Sequence, residues 1–156
     1  MKPIFTLIFA VLIFSMGESQ TVAEHYKTEN FDVAIFPKEY NLFGIEKRFT
    51  PTKEEVLLAE KALQTQLKEI NKNLPNQSSS PVIHRNLIKY KRQYFGIFGE
   101  NSERILFINA FWDDTLSLSY WLNSEISVDD GGSYFWNIKY LINENLLFDL
   151  MINGSA

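Results

Sequence analysis

The chain has no cysteine among its 156 residues. That absence excludes a disulfide framework, a thiolate metal site, a cysteine nucleophile and a lipid-modified N-terminal cysteine. Histidine is nearly as scarce: His25 and His84 are too few and too far apart for a histidine-based metal motif. No excess of positive charge is present either, with 15 basic against 19 acidic residues and a net charge of −4. Binding to a phosphate backbone needs clustered lysine and arginine, so no nucleic-acid partner is expected. The one basic cluster, Lys89, Lys91 and Arg92 interleaved with Tyr90 and Tyr94, reads as the polar side of a strand entrance. The main apolar run, residues 4–14, is shorter than the roughly 20 residues that span a bilayer.

What the chain does have is apolar bulk. Hydrophobic residues make up 46% and aromatic residues 15%, with 13 phenylalanines, enough for the core of one domain. Without disulfides, that core alone must hold the fold.

Residues 1–20 are laid out as an export signal. Lys2 supplies the positive end, residues 4–14 the apolar stretch, and Ser15, Gly17 and Ser19 the small residues that follow. Gly17 and Ser19 suit cleavage before Gln20, which makes residues 1–19 a signal peptide; Ser15 and Gly17 are the alternative pair. The mature protein is then expected to be exported, either periplasmic or secreted, with no membrane span. Residues 20–48 read as a polar lead-in followed by a covering segment, in which Val33, Ile35, Tyr40 and Leu42 are too apolar to leave in water while Pro37 and Gly44 break any long element.

The domain proper is expected over residues 49–156. Thr52 and Glu55 form a T-x-x-E capping box, and Val56, Ala59, Leu63, Leu67 and Ile70 recur at helical spacing, predicting a helix over 53–72. Thr50 with Pro51 is a second possible start. Lys53, Glu60, Lys61, Gln64 and Lys68 fall mostly elsewhere on the wheel. After a proline-bracketed loop, four runs rich in aromatic and β-branched residues predict strands at 90–98, 104–112, 133–141 and 146–153. With a five-residue loop in the first hairpin, Gln93, Phe95 and Ile97 face Asn109, Phe107 and Ile105. With a three-residue loop ending on a left-handed Asn145, Tyr140, Ile138 and Trp136 face Phe148, Leu150 and Ile152, and Lys139 falls opposite Asp149. The expected architecture is therefore α+β, one long helix packed on a four-stranded antiparallel meander. In the first hairpin both faces are apolar, so the second face, with Tyr94, Gly96, Leu106, Ile108, Ala110 and Trp112, needs a cover: residues 31–49, the insertion at 113–130, a second copy of the chain, or a ligand.

Candidate chemistry gathers around that insertion. Trp112, Tyr120 and Trp121 have no evident place in the helix-facing core and suggest an aromatic binding surface with Asp113 and Asp114 at its rim. Asp113, Asp114, Asp129 and Asp130 could hold a hard cation or supply an acid/base pair, but no calcium-loop pattern is present, and D-D-G-G is also what a tight turn looks like. His84 with an aspartate and a serine lacks any nucleophile-elbow context. Asn76 and Asn153 each start a glycosylation-type sequon, which matters only in a eukaryotic secretory route.

The run from Asn86 to Gly96, the helix start at Thr52, and Asp130-Gly131-Gly132-Ser133 leading to Trp136, Ile138 and Lys139 before a terminal Asn153-Gly154 resemble a group of small, uncharacterised secreted bacterial proteins. The resemblance covers most of the mature chain and implies export and a shared α+β domain, with no catalytic residues to carry over. Helix followed by meander is also similar to cystatin-like folds, although the cystatin inhibitory motif Q-x-V-x-G is absent. The expected function is an exported binding or interaction module without cofactor or metal, for an unknown protein or small-molecule partner. A hydrolase using the aspartates and a self-associating structural protein, for instance a homodimer, are the alternatives.

Overall fold

Lys53–Ile70 forms a long helix, α1, for the reasons its sequence advertises. The Thr52 hydroxyl accepts from the Glu55 amide at 3.2 Å, and the Glu55 carboxylate accepts from the Thr52 amide at 2.9 Å. Val56, Ala59, Leu63 and Leu67 are all buried on one side. The computed structural model describes residues 22–42 and 44–154; the expected signal peptide at 1–19 lies outside the described residues.

The sheet is larger than the sequence suggests. Seven strands are present among the described residues: β1 (Glu24–Lys27), β2 (Asp32–Phe36), β3 (Arg48–Phe49), β4 (Lys91–Phe98), β5 (Arg104–Phe111), β6 (Phe135–Leu141) and β7 (Leu146–Ile152). They form one mixed sheet in the order β1-β2-β4-β5-β6-β7, with β3 beside the far end of β4. The four-stranded antiparallel meander, and the cystatin-like arrangement inferred from it, are therefore incorrect as a description of the whole. β4 through β7 do follow one another as antiparallel neighbours, but they are only part of the sheet. The other part comes from residues expected to be lead-in and cover.

The reason lies in β4. Six consecutive residues, Arg92 to Ile97, are buried, which is the condition of a central strand and not of an edge. β2 runs parallel along its first half, Asp32 to Phe36 beside Lys91 to Phe95, and β3 runs antiparallel along its second half. A parallel neighbour requires a crossover, and α1 lies within it. β2 carried the sign of such a strand, a near-continuous apolar run with no alternation. The result is an α+β fold with a predominantly antiparallel sheet.

The β4–β5 register is Gln93, Phe95 and Ile97 opposite Asn109, Phe107 and Ile105. The last hairpin differs from expectation. Leu141 pairs with Leu146, so the loop is residues 142–145, and Tyr140 faces Leu147 instead of Phe148. Asn145 does take the left-handed conformation, with φ 51°. The extra loop residue would turn the rest of β7 inside out, but Asp149, with φ 55°, inserts a bulge that restores Trp136 opposite Ile152. Aspartate tolerates that conformation better than most residues, and Lys139 still reaches it at 2.6 Å.

Two cores result. On one face α1 covers Val33, Tyr94, Ile108, Trp136 and Ile138. On the other, the segment after β2 and a short helix, α2 (Leu118–Asn123), enclose Phe36, Leu42, Phe95, Phe111 and Trp121. Among the described residues no helix is long and apolar enough to cross a membrane.

Candidate functional site

Two buried polar networks hold the scaffold. In the first, Arg92 has no exposed surface and Glu60 is 2% exposed. Arg92 donates from Nε and Nη2 to the two oxygens of Glu60 at 2.7 and 3.0 Å, and from Nη1 to the carbonyls of Leu87 and Tyr90 at 2.8 and 2.9 Å. The Tyr94 hydroxyl adds a third bond to Glu60 at 2.7 Å; burial and the Glu60 charge push its pKa far up. Both charged residues had been expected in solvent. They tie α1 to β4 instead.

The second network anchors the insertion. Gln93 Nε2 donates to the carbonyls of Trp121 and Ser124, both at 2.8 Å, and its Oε1 accepts from the Ile126 amide at 2.8 Å. Asn109 donates to the Ile126 carbonyl at 2.7 Å and to Gln93 at 3.1 Å. Facing polar residues on β4 and β5 thus replace water for the loop backbone.

That anchoring settles where the expected site residues go. Trp121 is 1% exposed and packs edge-on against Phe111 in the second core. Trp112 lies on the opposite side of the sheet, against Tyr90 and Tyr134 at the border of the first core. A single groove lined by both rings is not formed, because residues 111 and 112 point to opposite faces and α2 follows the former. Tyr120 is 54% exposed on the outside of α2. Asp113 accepts from the Thr115 amide and hydroxyl at 2.8 and 2.6 Å, and the hydroxyl bond foremost holds its carboxyl below the usual range. Asp114, Asp129 and Asp130 are exposed, and no cluster of carboxylates or histidines able to hold a metal occurs among the described residues.

The D-D-G-G stretch is a turn. Gly131 and Gly132 have φ 89° and 57°, which only glycine adopts freely. Side chain and backbone contacts close it: Ser133 Oγ reaches Ser80 Oγ at 2.8 Å, Tyr90 donates to the Ser133 carbonyl at 2.7 Å, and Asn153 donates to the carbonyls of Val128 and Asp130.

What remains open is half of the second sheet face. Beyond the reach of α2, the registers align Ile97, Ile105, Leu141 and Leu146 in one row across four strands, and Phe95, Phe107, Lys139 and Phe148 in the next. Ile105, Phe107, Leu141 and Phe148 are half-buried and Leu146 is 45% exposed. Ile97, Ile105, Leu141 and Phe148 border a shallow trough of about 580 Å³, walled by the turn at 99–103 at one end and with Lys139 on its floor. Lys139 is held by Asp149 and Glu100 and Glu103 stand on the turn wall, so the trough offers apolar surface with acidic groups at one end. The sequence shows Phe95, Ile97, Ile105 and Phe107 as one apolar side of the first hairpin, but the side expected to need a cover other than the helix was the opposite one, Tyr94, Leu106, Ile108 and Ala110, which α1 covers instead.

Comparison with family models, with curated proteins and with solved structures finds no match for this chain.

Proposed function

We propose that the protein is an exported binding module that uses no cofactor and captures its partner on the uncovered half of the second sheet face. The observation that carries this reading is the trough itself: one half of that face is sealed by α2 and pinned through Gln93 and Asn109, while the other half keeps Ile105, Leu141, Leu146 and Phe148 in reach of solvent. Burying such a surface supplies about 25 cal/mol for each Å² removed from water, with no reacting group required. Apolar area, left open on a domain that elsewhere covers its core, is where a partner gains most. Export rests on the signal-like layout of residues 1–19 and on the resemblance to small secreted bacterial proteins. The hydrolase alternative needed at least two aspartates converging in a cleft, and those at 114, 129 and 130 stand in solvent.

Lysine substitution tests the surface. Leu141→Lys with Phe148→Lys places two charges in the trough at half-buried positions, and is expected to abolish retention of the native partner with little loss of stability. Trp112→Ala and Tyr120→Ala are expected to retain it. Retention by the lysine double variant, or loss in Tyr120→Ala, overturns the assignment.

A further inference from the structure

Past α1 the chain folds back along the last turns of the helix and reaches a 3-10 turn, Ile83–Arg85. Ile83 is buried and so fixes where the next two side chains emerge. Between that turn and the α1 side chains Thr65, Lys68 and Lys72 lie two grooves, of about 440 and 340 Å³, both walled by Lys68, His84 and Arg85.

The tautomer of His84 follows from backbone groups that cannot change role. Gln77 is buried, with Oε1 accepting from the Ile83 amide at 2.9 Å and Nε2 donating to the Pro75 carbonyl at 3.1 Å. An amide N–H only donates and a carbonyl only accepts, so Gln77 has one orientation. Asn71, also buried, must answer it: Oδ1 accepts from Gln77 Nε2 at 2.6 Å and Nδ2 donates to Gln77 Oε1 at 3.0 Å. The second proton on Asn71 Nδ2 then points at His84 Nδ1, 3.0 Å away. Nδ1 is an acceptor, and the ring proton sits on Nε2. Burial first, and then the charges of Arg85 and Lys68, hold the His84 pKa below its ordinary value, which favours the neutral ring.

Three donors are left facing one cleft. Lys72 is held by Glu69 at 2.7 Å, but Lys68, Arg85 and His84 Nε2 have no protein partner among the described residues. Two like charges gathered on an oriented neutral donor repel one another unless an anion joins them. A purely structural role accounts for Asn71 and Gln77, which close the loop, and leaves this convergence unexplained.

We propose that the cleft binds a phosphate-class oxyanion, with Lys68 and Arg85 supplying charge and His84 Nε2–H the directed third bond. Three donors from two elements, Lys68 on α1 with His84 and Arg85 on the 3-10 turn, suit a tetrahedral group, and arginine fits phosphate oxygens well. Exposed Leu74 and Ile88 on the groove walls offer apolar seats for the organic part of a phosphate monoester. The site is separate from the trough and does not depend on it.

The test is a titration of the whole mature protein at fixed pH and low ionic strength, following the His84 ring nitrogens by NMR. Inorganic phosphate and phenyl phosphate are the probes, with chloride at matched ionic strength as the control. A saturable shift at Nε2 with phosphate and none with chloride is expected. Lys68→Gln and Arg85→Gln, both on exposed side chains, should each weaken binding about tenfold, the scale of a lost charge-assisted bond. Tighter binding of phenyl phosphate assigns the site to the phosphoryl group of an organic ligand, and equal binding to the free ion. No saturable shift, an equal shift with chloride, or unchanged affinity in both variants overturns the proposal.

Discussion

Arg92 and Glu60 meet inside the protein with every contact to each other, to Tyr94 or to backbone carbonyls. Removing one partner leaves the other buried and unpaired, so Arg92→Met is expected to lower stability by about 3–5 kcal/mol, read by denaturant unfolding. Restoring a match with Glu60→Leu in the same chain should recover most of that loss; a double variant no better than the single one contradicts the account. Asp32 adds a pH dependence. Burial pushes its carboxyl up, but hydrogen bonds and charge from His25 and Lys27, at 2.7 and 3.0 Å, outweigh burial and leave it below its ordinary 3.8. A depressed carboxylate stabilises the fold above the unfolded value and stops doing so as pH falls through the folded one. The stability gap between the protein and Asp32→Asn should therefore close as pH falls through the ordinary 3.8 and the lowered folded value below it; a constant gap means that the pair contributes nothing. Neither contact was legible in sequence. Helical periodicity set Glu60 among polar residues, and nothing local says that a charged position on a wheel lies over an arginine on a strand more than thirty residues later.

At the scale of elements, what local chemistry dictates was readable. α1 was foretold by its capping box and its apolar stripe, and the β4–β5 pairing by alternation and loop length. What depended on distant neighbours was not. β2 is short, and only its pairing with β1 and β4 makes it a strand; the Asp149 bulge answers an extra loop residue that the sequence alone does not count. The insertion is the clearest case. Its aromatic residues read as a binding surface, yet Gln93 and Asn109 hold its backbone down and put Trp121 in the core. Gln93→Ala strands two carbonyls and one amide of that backbone, and should lower stability by at least about 2 kcal/mol. Amide hydrogen exchange should rise first at residues 121–126. Exchange rising uniformly instead would mean that the insertion is not held by this glutamine.

For the whole molecule, the two faces of the sheet divide the work. One is closed by α1. The other is closed for half its length and open for the rest, and the open half is where recognition is assigned. Edge strand β7 carries the Asp149 bulge and its ion pair to Lys139, features that discourage sheet-to-sheet pairing, so the partner is expected on the face and not along the edge. The most direct test places a photoreactive phenylalanine analogue at Phe148, in the trough, and in a second strain at Tyr120, on the outside of α2, and irradiates the cells that make the protein. Adducts from position 148 and none from position 120 are the expected result, and an adduct of twice the protein's mass would identify the partner as a second copy. Adducts from position 120 alone, or from neither position, would contradict the assignment of the trough as the binding surface.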